Sequence, residues 1–224
     1  MGFRVIIIGG TGQVGAAVIR GLLADANCLE VVMINRREAS IEPGPRLRQV
    51  VLDTAASDFE SRVQALAEEL VALGDRVCAA SCVGVGAGSA KWSEEALVAL
   101  EVGVVGAFAR GCHGAGIQHF ALLSAVGSDT NSRVRYSRVM GKKEDGLRAV
   151  GFARLALFRP GIIAGNVHTP KWVEWLGRLI PGRYGNIDQD VMGRAFAVEL
   201  AMPEPEPGVV AYENGDMREL VRGA

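Results

Sequence analysis

Phe3-Arg4-Val5-Ile6-Ile7-Ile8-Gly9-Gly10-Thr11-Gly12-Gln13-Val14-Gly15 is an apolar run of strand length that passes straight into three glycines spaced G-x-x-G-x-x-G. Over Gly12–Leu23 the chain then carries Val14, Val18, Ile19, Leu22 and Leu23 on one helical stripe, the pattern of a helix with one buried face. Strand, glycine turn and helix in this order raise the motif above chance. Gly9 permits a tight turn, Gly12 a close approach of backbone to ligand, and Gly15 close packing of helix on strand. The N–H groups and dipole of the helix start then receive an anion. The stretch Gly9-Gly10-Thr11-Gly12-Gln13-Val14-Gly15 is therefore expected to cradle the pyrophosphate of a dinucleotide. No Lys follows the glycines, which excludes a Walker loop.

Further apolar runs bounded by turn residues recur along the chain: Glu30–Ile34, Gln49–Leu52, Arg76–Cys82, Phe120–Ser124, Ala153–Phe158 and, more weakly, Val209–Glu213. Continuous rather than alternating runs mark strands covered on both faces of a parallel sheet. Helical spacing separates them. Trp92–Arg110 carries Leu97, Leu100, Val104 and Phe108 on one stripe, and Ser57–Leu73 opens with Ser57 and Glu60 in a capping-box arrangement and closes at Gly74. A further helix is expected over Tyr136–Val150. The fold class is α/β: a Rossmann-type, doubly wound, mostly parallel sheet with helices on both faces, in a single domain spanning 1–224. Two segments leave this rhythm. Ile41-Glu42-Pro43-Gly44-Pro45 cannot be helical and replaces a crossover helix by a loop. Gly161–Gly185, with Pro170, Pro181 and a short Trp172–Leu179 helix, is the expected substrate cover, Trp172 and Trp175 capping the core or lining its mouth.

Bulk properties narrow the function. A net charge of −1 over 224 residues, with 24 Lys and Arg against 25 Asp and Glu, gives no footprint for nucleic acid. No uninterrupted apolar run reaches the roughly 18 residues of a membrane span, and Ile6 breaks the myristoylation pattern that Gly2 would begin. Cys28, Cys78, Cys82 and Cys112 form no CxxC pair, the usage of a reducing compartment. A cytoplasmic protein with no membrane partner is expected. His113, His119 and His168 lack metal-ligand spacing, so no metal site is expected.

The ends of the strands carry the specificity. About 20 positions after the glycine loop a dinucleotide fold usually places a carboxylate on the adenosine ribose. Asn35-Arg36-Arg37 stands there instead, and two guanidiniums suit a 2′-phosphate; NADP(H) is the expected cofactor. Asp53 is either an acceptor for the adenine amino group or a solvated strand end. Val83 and Gly84 are expected beneath the adenosine and ribose, with Cys82 beside them as packing.

With these residues in hand the chain resembles the atypical short-chain dehydrogenases/reductases, and within them the TIP30-like NAD(P)H-binding group. The carriers are the glycine loop, Asn35-Arg36-Arg37, His119-Phe120-Ala121-Leu122-Leu123-Ser124, Tyr136 with its helix, and Phe158-Arg159-Pro160-Gly161-Ile162. The resemblance implies that Ser124 and Tyr136 meet cofactor and substrate, and that the backbone of Arg159-Pro160-Gly161-Ile162 passes the nicotinamide amide. In such a site the tyrosine hydroxyl delivers a proton and the serine hydroxyl bonds the substrate oxygen. The family places a Lys four residues after the Tyr to lower its pKa; here that residue is Met140. Lys143 lies about 60° from Met140 around the helix and one turn on, closer than Lys142, and is the candidate surrogate; otherwise both lysines form a solvated face. The reading is an NADPH-dependent oxidoreductase acting on a small carbonyl-type substrate. Its rival is a non-catalytic NADPH-binding regulator that works through a protein partner. A sugar-nucleotide epimerase ranks last, because that class carries a larger C-terminal domain. Monomer and homodimer both stay open.

Overall fold

The computed structural model describes residues 2–39, 44–164, 180 and 182–223. The main strands are β1 (Phe3–Ile8), β2 (Cys28–Asn35), β3 (Leu47–Val51), β4 (Arg76–Ser81), β5 (His119–Leu123) and β6 (Arg154–Phe158). A short pair follows, β7 (Ile162–Ala164) with β8 (Asn186–Asp188), and β9 (Gly208–Tyr212) returns to the main sheet. The seven-stranded sheet has the order β3-β2-β1-β4-β5-β6-β9, and every neighbouring pair in it is parallel. The expected strands of this sheet sit within one or two residues of those observed.

The helices are α1 (Gln13–Ala24), α2 (Phe59–Val71), α3 (Glu94–Gly114), α4 (Arg135–Val150), α5 (Gln189–Ala201) and α6 (Asn214–Arg222). Side chains alternate across a strand, and the core divides accordingly. Val5 and Ile7 of β1 face a layer containing Val18 and Leu22 of α1, Phe196 of α5 and Met217 of α6. Ile6 and Ile8 face the opposite layer, with Val63 of α2, Phe108 of α3 and Leu147 of α4. Both layers are dry, which is why the strands read as unbroken apolar runs.

Four local features differ from expectation. The Ser57–Glu60 capping box does not form: α2 begins after Asp58 rather than Ser57, which puts Glu60 at the second helical position, and no side chain caps it; Glu60 takes Arg110 of α3 at 2.7 Å. A reciprocal box appears at Glu213 and Asp216, opening α6. α3 contains a π-helical stretch, Ala99–Val104, so its buried face runs through Leu97, Glu101, Val105 and Phe108 rather than through Leu100 and Val104. By length and composition α3 would cross a membrane, at 21 residues and mean hydropathy 1.4, yet Val105, Phe108, Ala109 and Cys112 are core residues here. α5 and the β7–β8 pair had no counterpart in the sequence reading. Between β2 and β3 the described residues hold no helix; Ile41, Glu42 and Pro43 lie outside them. So do His168, Pro170, the expected Trp172–Leu179 helix with Trp172 and Trp175, and Pro181.

Candidate active site at the carboxyl edge of the sheet

The strand order reverses between β1 and β4, from which β2 and β5 continue to opposite sides. Open α/β sheets offer their binding crevice at such a point. A cavity of about 750 Å³ opens there, with Thr11, Gly12, Gln13 and Val14 on one wall and Val83 and Gly84 on another. Gly9 adopts φ +84°, and a Cβ on it would lie 2.5 Å from the Val83 nitrogen; a Cβ on Gly15 would strike the Gly9 carbonyl. Gly12 is the N-cap of α1 with no side-chain cap, and nothing but the Gly9 carbonyl lies within 4 Å of the Cβ it lacks. Two glycines thus close the turn, and the third, Gly12, donates its N–H to the Gly9 carbonyl at 3.1 Å and opens α1 beside the cavity without a side-chain cap.

The opposite wall brings together Ser124, Tyr136, Met140, Lys143 and Glu101. Lys143 is neither a solvated residue nor a free cation. Its side chain has no exposure, and Nζ donates to Glu101 Oε2 at 2.8 Å, to the Val83 carbonyl at 2.9 Å and to the Leu123 carbonyl at 2.9 Å. An ammonium has three N–H groups, and all three are used. None remains for Tyr136 or for a ribose hydroxyl, so the surrogate role expected of Lys143 gives way to a positioning one: it ties the ends of β4 and β5 together. Glu101 completes the tie by accepting from the Val85 backbone N–H at 3.1 Å. The π-helical stretch turns this carboxylate inward, and such stretches recur at functional sites. Burial pushes the Tyr136 phenol well above its ordinary pKa, and the Glu101 charge adds to the effect. Tyr136 therefore keeps its proton. Lys142 is exposed, 3.8 Å from Glu94.

Ser124 is buried at the end of β5. Its hydroxyl donates to Glu144 Oε1 at 2.6 Å and lies 3.0 Å from the Ser128 hydroxyl. Glu144, also buried, takes Arg159 through Nε at 2.8 Å and through Nη2, and Arg148 at 3.1 Å. Burial alone would raise the Glu144 carboxyl, but hydrogen bonds from Arg159 and Ser124 and the two arginine charges outweigh it and hold it below the usual carboxylate range. The run expected to pass the nicotinamide is committed elsewhere: Pro160 accepts from Val126 N–H at 3.0 Å, Gly161 N–H donates to Asn214 at 3.0 Å, and Ile162 N–H donates to the Gly185 carbonyl at 3.0 Å. The next residue, Ile163, reaches the cavity.

At the end of β2, Arg36 and Arg37 are exposed and have no ion-pair partner among the described residues. Asn35 is buried and its amide donates to Gln49 of β3 at 2.9 Å, which makes it a strand-end brace. Asp53 is exposed and accepts from the Ala55 N–H at 3.0 Å, closing its own turn. Cys82 is buried, its thiol pushed up to about 12 by burial against the opposing charge of Lys143, and it packs rather than reacts. Glu101 and Glu144 were missed from sequence. Glu101 lies between Leu100 and Val102, which is the available signal for it; Glu144 stands in a charged stretch, Lys142-Lys143-Glu144-Asp145, that reads as a solvated face.

No protein-family model matches the chain. It is 30% identical over 208 residues to the Emericella nidulans protein fmp52, mitochondrial, covering 86% of this chain and 84% of that one. The chain belongs to the fmp52 family. This fmp52-family chain is also 28% identical over 180 residues to the Rattus norvegicus protein HTATIP2, covering 80% of the chain and 70% of that protein, and so falls with the TIP30-like group. Among solved structures, the Bordetella bronchiseptica enzyme WbmH in complex with NAD+ superposes with a TM-score of 0.71 at 15% identity, over 98% of this chain and 79% of that one; the likeness is one of fold. The fmp52 relatives are named mitochondrial, so the expectation of a cytoplasmic protein drawn from cysteine usage does not stand. Four buried free cysteines report a low oxidation state and not an address.

Proposed function

We propose that this fmp52-family chain binds NADP(H) across the carboxyl edge of its sheet and reduces a small carbonyl compound. The observation that carries the reading is the glycine loop at the strand-order reversal, opening on the cavity that also receives Ser124 and Tyr136. The start of α1, which no side chain caps, suits a pyrophosphate, with Thr11, Gln13 and Val14 beside it. Arg36 and Arg37 suit a 2′-phosphate. The second carboxylate oxygen of Asp53 suits an adenine amino group, and Val83, Gly84 and Ile163 suit the edges of the adenosine and the nicotinamide. The complex of WbmH, which shares this fold, with NAD+ supports a nicotinamide dinucleotide as the ligand. When bound, the nicotinamide supplies a hydride. Tyr136, holding its proton, donates it to the substrate oxygen. Ser124 orients the substrate by turning its hydroxyl from Glu144 Oε1 to donate to the carbonyl oxygen. Arg36→Ala with Arg37→Ala should weaken NADPH at least tenfold and leave NADH within twofold, measured by calorimetric titration; equal weakening of both would overturn the 2′-phosphate assignment.

A second reading, a non-catalytic NADPH-binding regulator acting through a protein partner, is favoured by Met140 and by the full commitment of Lys143. Met140→Lys decides between the two. An enzyme scaffold lacking its lysine should gain NADPH oxidation with a panel of aldehydes and ketones. A regulator should gain none while still binding NADPH.

A further inference from the structure

The charges around the cavity do not cancel. Lys91, Glu101 and Lys143 are the charged residues lining it. Glu101 and Lys143 neutralise one another at 2.8 Å, whereas Lys91 has no ion-pair partner among the described residues. The carboxylate nearest in sequence that could have served it, Glu94, is taken by Arg138 at 2.7 Å and by Lys142 at 3.8 Å. The backbone on either side of Lys91 is tied: Arg135 donates to the Ser89 carbonyl at 3.0 Å, and the Trp92 N–H donates to that same carbonyl at 3.1 Å. Trp92 stands beside it, 40% exposed and on the same cavity. Leu123, Met140 and Ile163 make the remaining wall apolar.

We propose that Lys91 selects the substrate: the cavity takes a carbonyl compound whose apolar body lies against Trp92 and whose carboxylate or phosphate group is held by the Lys91 ammonium. The inference rests on the cofactor-site reading above. A cleft with low-dielectric walls and one sign of uncompensated charge concentrates ligands of the other sign. The cofactor's own phosphates have other anchors in that reading, the α1 start and Arg36 with Arg37, which leaves Lys91 for the substrate.

The test is calorimetric titration of the NADP+-saturated protein with benzoate, phenyl phosphate and benzyl alcohol, three probes with one apolar body and different charge. Benzoate or phenyl phosphate should bind at least tenfold tighter than benzyl alcohol. Lys91→Ala should abolish that preference, and Lys91→Arg should keep it. Lys91 is exposed, so the variants should fold, checked by an unchanged thermal midpoint. Equal affinity for charged and neutral probes, or no measurable binding of any, would overturn the proposal. So would a Lys91→Ala protein that loses NADP+ affinity but keeps the probe preference. Should wild-type protein fail to bind NADP+, the cofactor reading falls, and the same titrations on the cofactor-free protein decide for or against Lys91.

Discussion

β5 and β6 end in polar residues at both edges of the sheet, and the two edges are built alike. At the amino edge, His119 and Arg154 converge on Glu199 of α5: His119 at 3.1 Å, Arg154 at 2.7 and 3.0 Å, with the Tyr212 hydroxyl at 2.6 Å. At the carboxyl edge, Ser124 and Arg159 converge on Glu144 of α4. Each edge thus seats one buried glutamate against an arginine fork, and each glutamate is held ionised by its donors. A pit of about 380 Å³ lies even at the amino edge, but its arginines are spent, Arg154 on Glu199 and Arg76 on the Cys78 sulfur and the Ala201 carbonyl. A buried carboxylate gripped by arginine is therefore glue at either end of this sheet. What distinguishes the carboxyl edge is the surplus: a helix start that no side chain caps, a protonated tyrosine, and a lysine with no ion-pair partner among the described residues, around an open space.

The comparison breaks most visibly at the amino edge. Glu199→Ala leaves Arg154 without its charge partner, and stability should fall toward the upper end of about 3–5 kcal/mol, read from urea unfolding; NADPH affinity of the folded fraction should not change. At the carboxyl edge Lys143→Met leaves Glu101 buried and charged, and should cost about 3 kcal/mol together with nucleotide affinity, since the ends of β4 and β5 lose their tie. The paired change Glu101→Leu with Lys143→Met should recover most of that stability, because both desolvated charges go at once. A double variant no more stable than Lys143→Met would show that the tie works through the carbonyls rather than through the ion pair. Acid gives the smallest effect. Burial would raise the Glu199 carboxyl, but bonds from His119, Arg154 and Tyr212 lower it from 4.5 to about 2. Its contribution is therefore complete above pH 4.5 and is lost as the pH falls toward 2. Wild-type protein should lose more stability over that interval than Glu199→Gln; parallel curves would count against the assignment.

The strands of the main sheet were legible because burial on both faces writes itself into contiguous residues, as in Val5-Ile6-Ile7-Ile8. The glycine loop was legible because steric demand falls on single positions, Gly9 and Gly15. α5 was not, although Met192, Ala195, Phe196, Glu199 and Leu200 are buried on one helical face, because a charged residue, Glu199, stands in the middle of that stripe and the small Gly193 and Ala197 are buried beside it. The Ser57–Glu60 motif failed because the helix starts one residue later, after Asp58, which takes Glu60 out of the position a capping box needs. Lys143 was placed on the correct helical face by angular arithmetic, yet its partners Glu101, Val83 and Leu123 come from two other elements, and no local pattern encodes them. Short-range geometry could say where Lys143 points but not what waits there.

Gly193 of α5 lies so close to α1 that a Cβ on it would sit 2.5 Å from the Ala17 carbonyl carbon, and Arg20 meets Asp190 at 2.5 Å across the same seam. During synthesis the ribosome releases α1 early and α5 late. The nascent amino-terminal half therefore emerges with one flank of its first helix uncovered, and contacts so distant along the chain form slowly. A helix translated early is thus finished late, and its flank stays open until residues 189–201 have followed it.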